Sequence, residues 1–151
     1  MQECVKGVYD FNNMCNNFDS VDYKKLLAQA RVVKEEGEEL FTAFLAHEGN
    51  AQVLKETVDV LVTITGMVGM LESIGYDVVG AWKVVNENNM TKACDLVTAQ
   101  YSKHFFEETT PVEIEYNTQF DKYLLRDALG KIRKPYNYQK VDVSMFCPKG
   151  A

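Results

Sequence analysis

Apolar residues recur at helical spacing through the first two thirds of the chain. Val5, Val8, Phe11, Met14 and Cys15 mark a helix from about Gln2 to Asn16. Ser20 or Asp22 is placed to cap a second helix that extends to about His47. Its stripe is Leu26, Ala30, Val33, Gly37, Leu40 and Phe44, stepping by four and three, the seam of a helix in a bundle. Glu48-Gly49-Asn50 reads as a turn, with Gly49 as left-handed C-cap and Asn50 as the next N-cap. A third helix carries Val53, Leu54, Thr57, Leu61, Ile64, Val68 and Leu71 to Ser73, and Gly75 ends it. A fourth runs from near Asp77 through Trp82, Val85 and Met90 to about Ala99. All three prolines (Pro111, Pro135, Pro148) fall in the last third, so no strong breaker interrupts these segments.

Beyond Tyr101 the period changes. Val112 to Tyr116 alternates with period two, and Tyr123 to Arg133 reads as a hairpin turning near Asp127-Gly130. The expectation is an all-α four-helix bundle over about residues 2–100, with a small C-terminal β-hairpin and extended tail over 101–151. The 151 residues suit a single domain.

Composition narrows the function. Hydrophobic residues make up 46% and charged residues 25%, as expected of a globular chain. No apolar run reaches about 18 residues, so no membrane span is expected, and no signal peptide is visible. The expected location is cytoplasmic. A net charge of -6 leaves no basic face for nucleic acid. Cys4, Cys15, Cys94 and Cys147 form no close pair, and His47 and His104 read as surface residues, which excludes a zinc finger. The thiols are expected to be reduced and mostly packed.

The informative feature is acidic. Glu35-Glu36-Gly37-Glu38-Glu39 lies mid-helix, where like charges three or four apart repel. Glu56 and Asp59 interrupt the apolar third segment. In an antiparallel hairpin, residues at one height share an index sum. Glu36 with Asp59 and Glu39 with Glu56 have the same sum, and its midpoint falls beside the independently read turn. Glu35 and Glu38 satisfy the same arithmetic one residue lower, so height alone does not choose between the pairs. At about 100° per residue, Glu36 borders the apolar stripe and Glu35 points nearly opposite. Carboxylates converging between helices call for hard cations, magnesium or manganese. The competing reading is a solvated acidic face. A di-iron bundle would require Glu-x-x-His pairs, and the chain has none.

E-E-x-x-E on one helix and E-x-x-D on the next resembles the signature of the MazG-like all-alpha nucleoside triphosphate pyrophosphohydrolases. Those proteins are related to phosphoribosyl-ATP pyrophosphohydrolase and the dimeric dUTPases. Asn89-Met90-Thr91-Lys92, Gly130-Lys131-Ile132-Arg133-Lys134-Pro135 and Val8-Tyr9-Asp10-Phe11 are similar to stretches of its small phage-type branch. The segment from about Lys103 to Phe120 falls outside the likeness. The resemblance implies Mg2+-dependent cleavage, with Mn2+ as a substitute, of a nucleoside triphosphate to monophosphate and pyrophosphate by a homodimer or homotetramer. It implies Glu36, Glu39, Glu56 and Asp59 as metal ligands. Glu35 and Glu36 would serve catalysis, Glu35 as ligand helper or acceptor of the water proton. Asn89, Lys92, Lys131 and Lys134 would bind substrate. The short architecture is similar to a guanine-specific type (MazZ), making dGTP and GTP the expected substrates. The alternatives are dUTP, dCTP, broad specificity, or a non-catalytic helical oligomerisation module.

Overall fold

A computed structural model describes residues 2–106 and 110–149. Among the described residues, five helices are followed by a three-stranded antiparallel sheet, so the chain mixes α and β rather than being all-α. The helices are α1 (Gln2–Met14), α2 (Tyr23–Leu45), α3 (Asn50–Ser73), α4 (Val78–Met90) and α5 (Leu96–Phe106). The strands are β1 (Val112–Asn117), β2 (Lys122–Asp127) and β3 (Ile132–Arg133). Among the described residues no helix is long and apolar enough to cross a membrane.

Two compact units divide the chain. The first runs to Val78 and includes the segment from Phe146; the second is Val79–Met145. The division lies well before residue 100, where the sequence pattern changes.

In the first unit, α2 and α3 form the expected antiparallel hairpin. Asp22, not Ser20, caps α2, its side chain accepting from the Lys25 N–H at 2.8 Å. Ser20 instead adopts φ +47°. At the other end the left-handed residue is His47 (φ +52°), and the Glu48 N–H donates to the Ala43 carbonyl. Gly49, expected to be that left-handed cap, has φ -57° and is itself the N-cap of α3, in place of Asn50. Gly75 closes α3 with φ +92°, as its position predicts.

The rotation of α2 differs from the expected stripe. Leu26, Val33 and Leu40 turn inward as expected, but Gln29, Glu36 and Ala43 accompany them, while Ala30, Gly37 and Phe44 are exposed. Both sets step by three and four, and the apolar pattern alone favours the second. Gln29 decides locally, donating to the Thr63 carbonyl at 2.8 Å. Its half-buried amide finds this partner in the observed rotation. On α1, Asn12 is buried while Val5, Phe11 and Met14 are exposed. Asn12 donates to the Val8 carbonyl and accepts from Asn17. The Phe18 ring packs where Gly69 leaves room for it.

In the second unit the long fourth helix breaks. α4 stops at Met90, and Asp95 starts α5 by accepting from both the N–H and the hydroxyl of Thr98 at 2.8 Å. Between them Cys94 bridges to Tyr123 of β2. A strong cap and a tertiary bridge override the continuing apolar period. The β-hairpin is as read, turning through Asp127 to Gly130 (φ +79°), but its second arm is β3, and β1 pairs on the other edge of β2. Val112 and Ile114 stand opposite Asp127 and Leu125. Leu125 is fully buried, and so is Ser102 of α5, which accepts from the Tyr136 N–H at 2.9 Å. Among the cysteines, Cys94 alone is buried; Cys4, Cys15 and Cys147 are exposed, against the expectation of packed thiols.

Candidate metal centre

The α2–α3 hairpin brings three acidic residues together. Glu36, Glu56 and Asp59 each offer a carboxylate oxygen, and the three oxygens lie within 4.8 Å of one another. Glu56 is buried at 4% exposure; Glu36 and Asp59 are half-buried. Two carboxylates come from α3, one turn apart, and one from α2, whose inward rotation is the one described above. Glu36, not its neighbour Glu35, is thus the member of the doublet that joins Asp59.

Cationic and amide groups already serve these oxygens. Lys55 Nζ lies 2.9 Å from Asp59 Oδ2 and 3.2 Å from Glu56 Oε1. Gln52 Nε2 donates to Glu56 Oε1. The Lys55 ammonium is held charged, its pKa raised chiefly by hydrogen bonds to Asp59 and Glu56. The Glu36 carboxyl is raised from its ordinary value, first by desolvation and then by the charges of Glu39, Asp59 and Glu56, with Lys55 opposing. A site that raises a carboxyl in this way gains from an added cation.

Glu39 stands outside the triad. It lines an adjoining cleft of about 360 Å³ with Glu35, Glu38, Thr42, Glu48, Gln52 and Glu56. Glu56 is shared between cleft and triad, so Glu35 and Glu39 face the same acidic space through it. An all-oxygen set suits Mg2+ or Mn2+.

The expected substrate residues belong to the second unit. Lys92, Lys131 and Lys134 line one groove of about 340 Å³ with Phe106, Ile132 and Arg133. Arg133 sits 5.7 Å from the centre of the Phe106 ring, and Lys134 Nζ 4.7 Å from that of Tyr138. Asn89 does not line this groove; its side chain is exposed, and its carbonyl accepts from the Lys92 N–H. The neighbouring Asn88 is the one engaged, donating to the Tyr138 hydroxyl at 2.6 Å. Sequence reasoning missed Lys55, Gln52, Arg133 and Phe106. For Lys55 a signal was present: it precedes Glu56 and stands four residues from Asp59.

No family model, curated protein or solved structure matches this chain. The chemistry of the residues therefore carries the functional reading.

Proposed function

We propose that this chain is a divalent-metal-dependent nucleoside triphosphate pyrophosphohydrolase, releasing the monophosphate and pyrophosphate. The observation that carries the reading is the convergence of Glu36, Glu56 and Asp59 across two antiparallel helices, around an ammonium that stands where a cation fits. The resemblance of the acidic motifs to the MazG-like enzymes supplies the reaction class.

Glu36, Glu56 and Asp59 would hold Mg2+ or Mn2+, and Glu39 borders the same space. The ion supplies neutralisation of developing phosphoryl charge and a lowered pKa for its water. Gln52 fixes one Glu56 oxygen by hydrogen bonding. Glu35, on the cleft wall, is the candidate acceptor of the attacking water's proton. Lys92, Lys131, Lys134 and Arg133 form a cationic groove suited to phosphate oxygens in a protein of net charge -6. The first candidate substrates are dGTP and GTP, ahead of dUTP, dCTP or a broad range.

The test is a panel of nucleoside triphosphates with Mg2+ or Mn2+, assayed for pyrophosphate. Glu56→Gln should abolish turnover while the fold persists. Release of single phosphates would contradict the cleavage position, and no turnover of any nucleotide would remove the reading.

A second reading is a non-catalytic helical module, favoured by Lys55 already neutralising Asp59 and Glu56. It expects no thermal response to Mn2+, whereas a native-state metal site requires one.

A further inference from the structure

Lys55 spans two carboxylates of the acidic centre. Its ammonium lies 3.2 Å and 3.3 Å from the two Glu56 oxygens and 2.9 Å from Asp59 Oδ2. The Asp59 contact is an ordinary one-turn pair along α3. The Glu56 contact is not. Consecutive residues stand about 100° apart round a helix, so their side chains diverge. Lys55 bends back across α3 to the Glu56 side chain, which at 5% exposure needs a counter-charge to stay ionised.

The Lys55 side chain itself is more than half exposed. Little packing opposes its withdrawal, and its four-carbon stem is flexible. The ammonium engages both Glu56 oxygens, so an ion bound by Glu56 takes an oxygen from it. Two cations on the same oxygens repel. Metal loading therefore releases Lys55 without removing it, because the stem keeps the ammonium within one side chain's length of the ion. The adjoining cleft is lined by Glu35, Glu38, Glu39, Glu48 and Glu56 and, among the described residues, by no lysine or arginine. A polyphosphate drawn to the ion along that wall meets only like charge. Lys55 is the cation that the triad itself positions beside the ion.

On the metal-dependent reading above, we infer that Lys55 is a phosphate ligand held in reserve. Without metal it neutralises Glu56 and Asp59. With metal bound, its ammonium turns outward and pairs with a phosphate oxygen of the ion-bound polyphosphate. The same side chain thus guards the empty site and receives the anion at the loaded one.

The two roles pull Lys55→Met in opposite directions. Loss of the competitor should tighten binding of Mn2+ alone by about tenfold, and loss of the phosphate contact should weaken binding of Mn2+–tripolyphosphate to the Mn2+-saturated protein by about tenfold. Calorimetric titration of the full chain reads both constants, and tripolyphosphate carries no base, so base preference does not enter. Lys55→Arg keeps a cation and should restore tripolyphosphate binding. Lys6→Met removes the same charge from an exposed pair with Asp10 on α1 and should move neither constant. Lys55→Gln supplies the same two readings should Lys55→Met fail to fold. Equal tripolyphosphate binding by wild type and the neutral variant, or none by Mn2+-saturated wild type, overturns the role of Lys55; if nucleotides are still hydrolysed, the proposed function stands without it. A wild type that takes no Mn2+ overturns both. Lys55-dependent tripolyphosphate binding with no turnover of any nucleotide supports the phosphate contact and removes the hydrolase reading alone.

Discussion

Lys55 Nζ lies 2.9 Å from Asp59 Oδ2, one turn along the same helix, and also reaches the buried Glu56 carboxylate. On the proposed function, the ammonium and a divalent ion would compete for the same oxygens. Lys55→Met should lower stability without metal, since the carboxylates lose their neutralising partner. The same variant should bind Mn2+ more tightly and be stabilised by it more than wild type. For wild type, Mn2+ at about a hundred times its dissociation constant should add about 2.7 kcal/mol. Thermal melts with and without Mn2+, and calorimetric titration of both proteins, check this. A variant gaining no more from Mn2+ than wild type would separate Lys55 from the site.

Glu36 carries the linked pH effect. Its folded carboxyl is raised, so the native state binds more protons than the unfolded chain across the window above the ordinary carboxylate value. That contribution to stability is present at low pH and lost as pH rises through the raised value. Metal requires the ionised form, so Mn2+ binding should strengthen over the same rise. Glu36→Gln should flatten both dependences. Melting temperature against pH, with and without Mn2+, reads both slopes.

Asp95 should act with the opposite sign. Hydrogen bonds from the Thr98 N–H and hydroxyl hold its carboxyl below the usual range. Its stabilisation of α5 is present above the ordinary carboxylate value and lost as pH falls through the lowered one. Asp95→Asn keeps an N-cap and should lose only the pH dependence, whereas Asp95→Ala should lose the cap. Acid titration followed by far-ultraviolet circular dichroism distinguishes the two.

Gly69 lies under the Phe18 ring, so a Cβ there overlaps it. Gly69→Ala should cost about 1–3 kcal/mol through displacement of the ring, outweighing the gain in helix propensity. Urea unfolding measures it, and Gly37→Ala on α2, where a Cβ meets nothing within 4 Å, serves as the control expected to stabilise.

Lys131 and Lys134 line the cationic groove of the second unit. Lys131→Ala should raise KM for the triphosphate by about tenfold, equivalent to about 1.4 kcal/mol of binding, with less effect on kcat. Loss of kcat alone at unchanged KM would argue that the groove does not hold phosphate.

The acidic heights, the α2–α3 turn region and the hairpin near Gly130 were legible in the residues, because helical period, equal index sums and turn chemistry are local properties of the chain. Rotation was not. The stripes through Ala30 and Gln29 are nearly equal as patterns, and tertiary contacts, among them the bond from Gln29 to the Thr63 carbonyl and the burial of Ala43, accompany the one that turns Glu36 inward. The break before α5 likewise depends on Cys94 meeting Tyr123, a partner 29 residues away. Spacing along one helix specifies which residues share a height and a face. Which way that face turns depends on partners distant in sequence, and that choice made Glu36, rather than Glu35, the companion of Asp59.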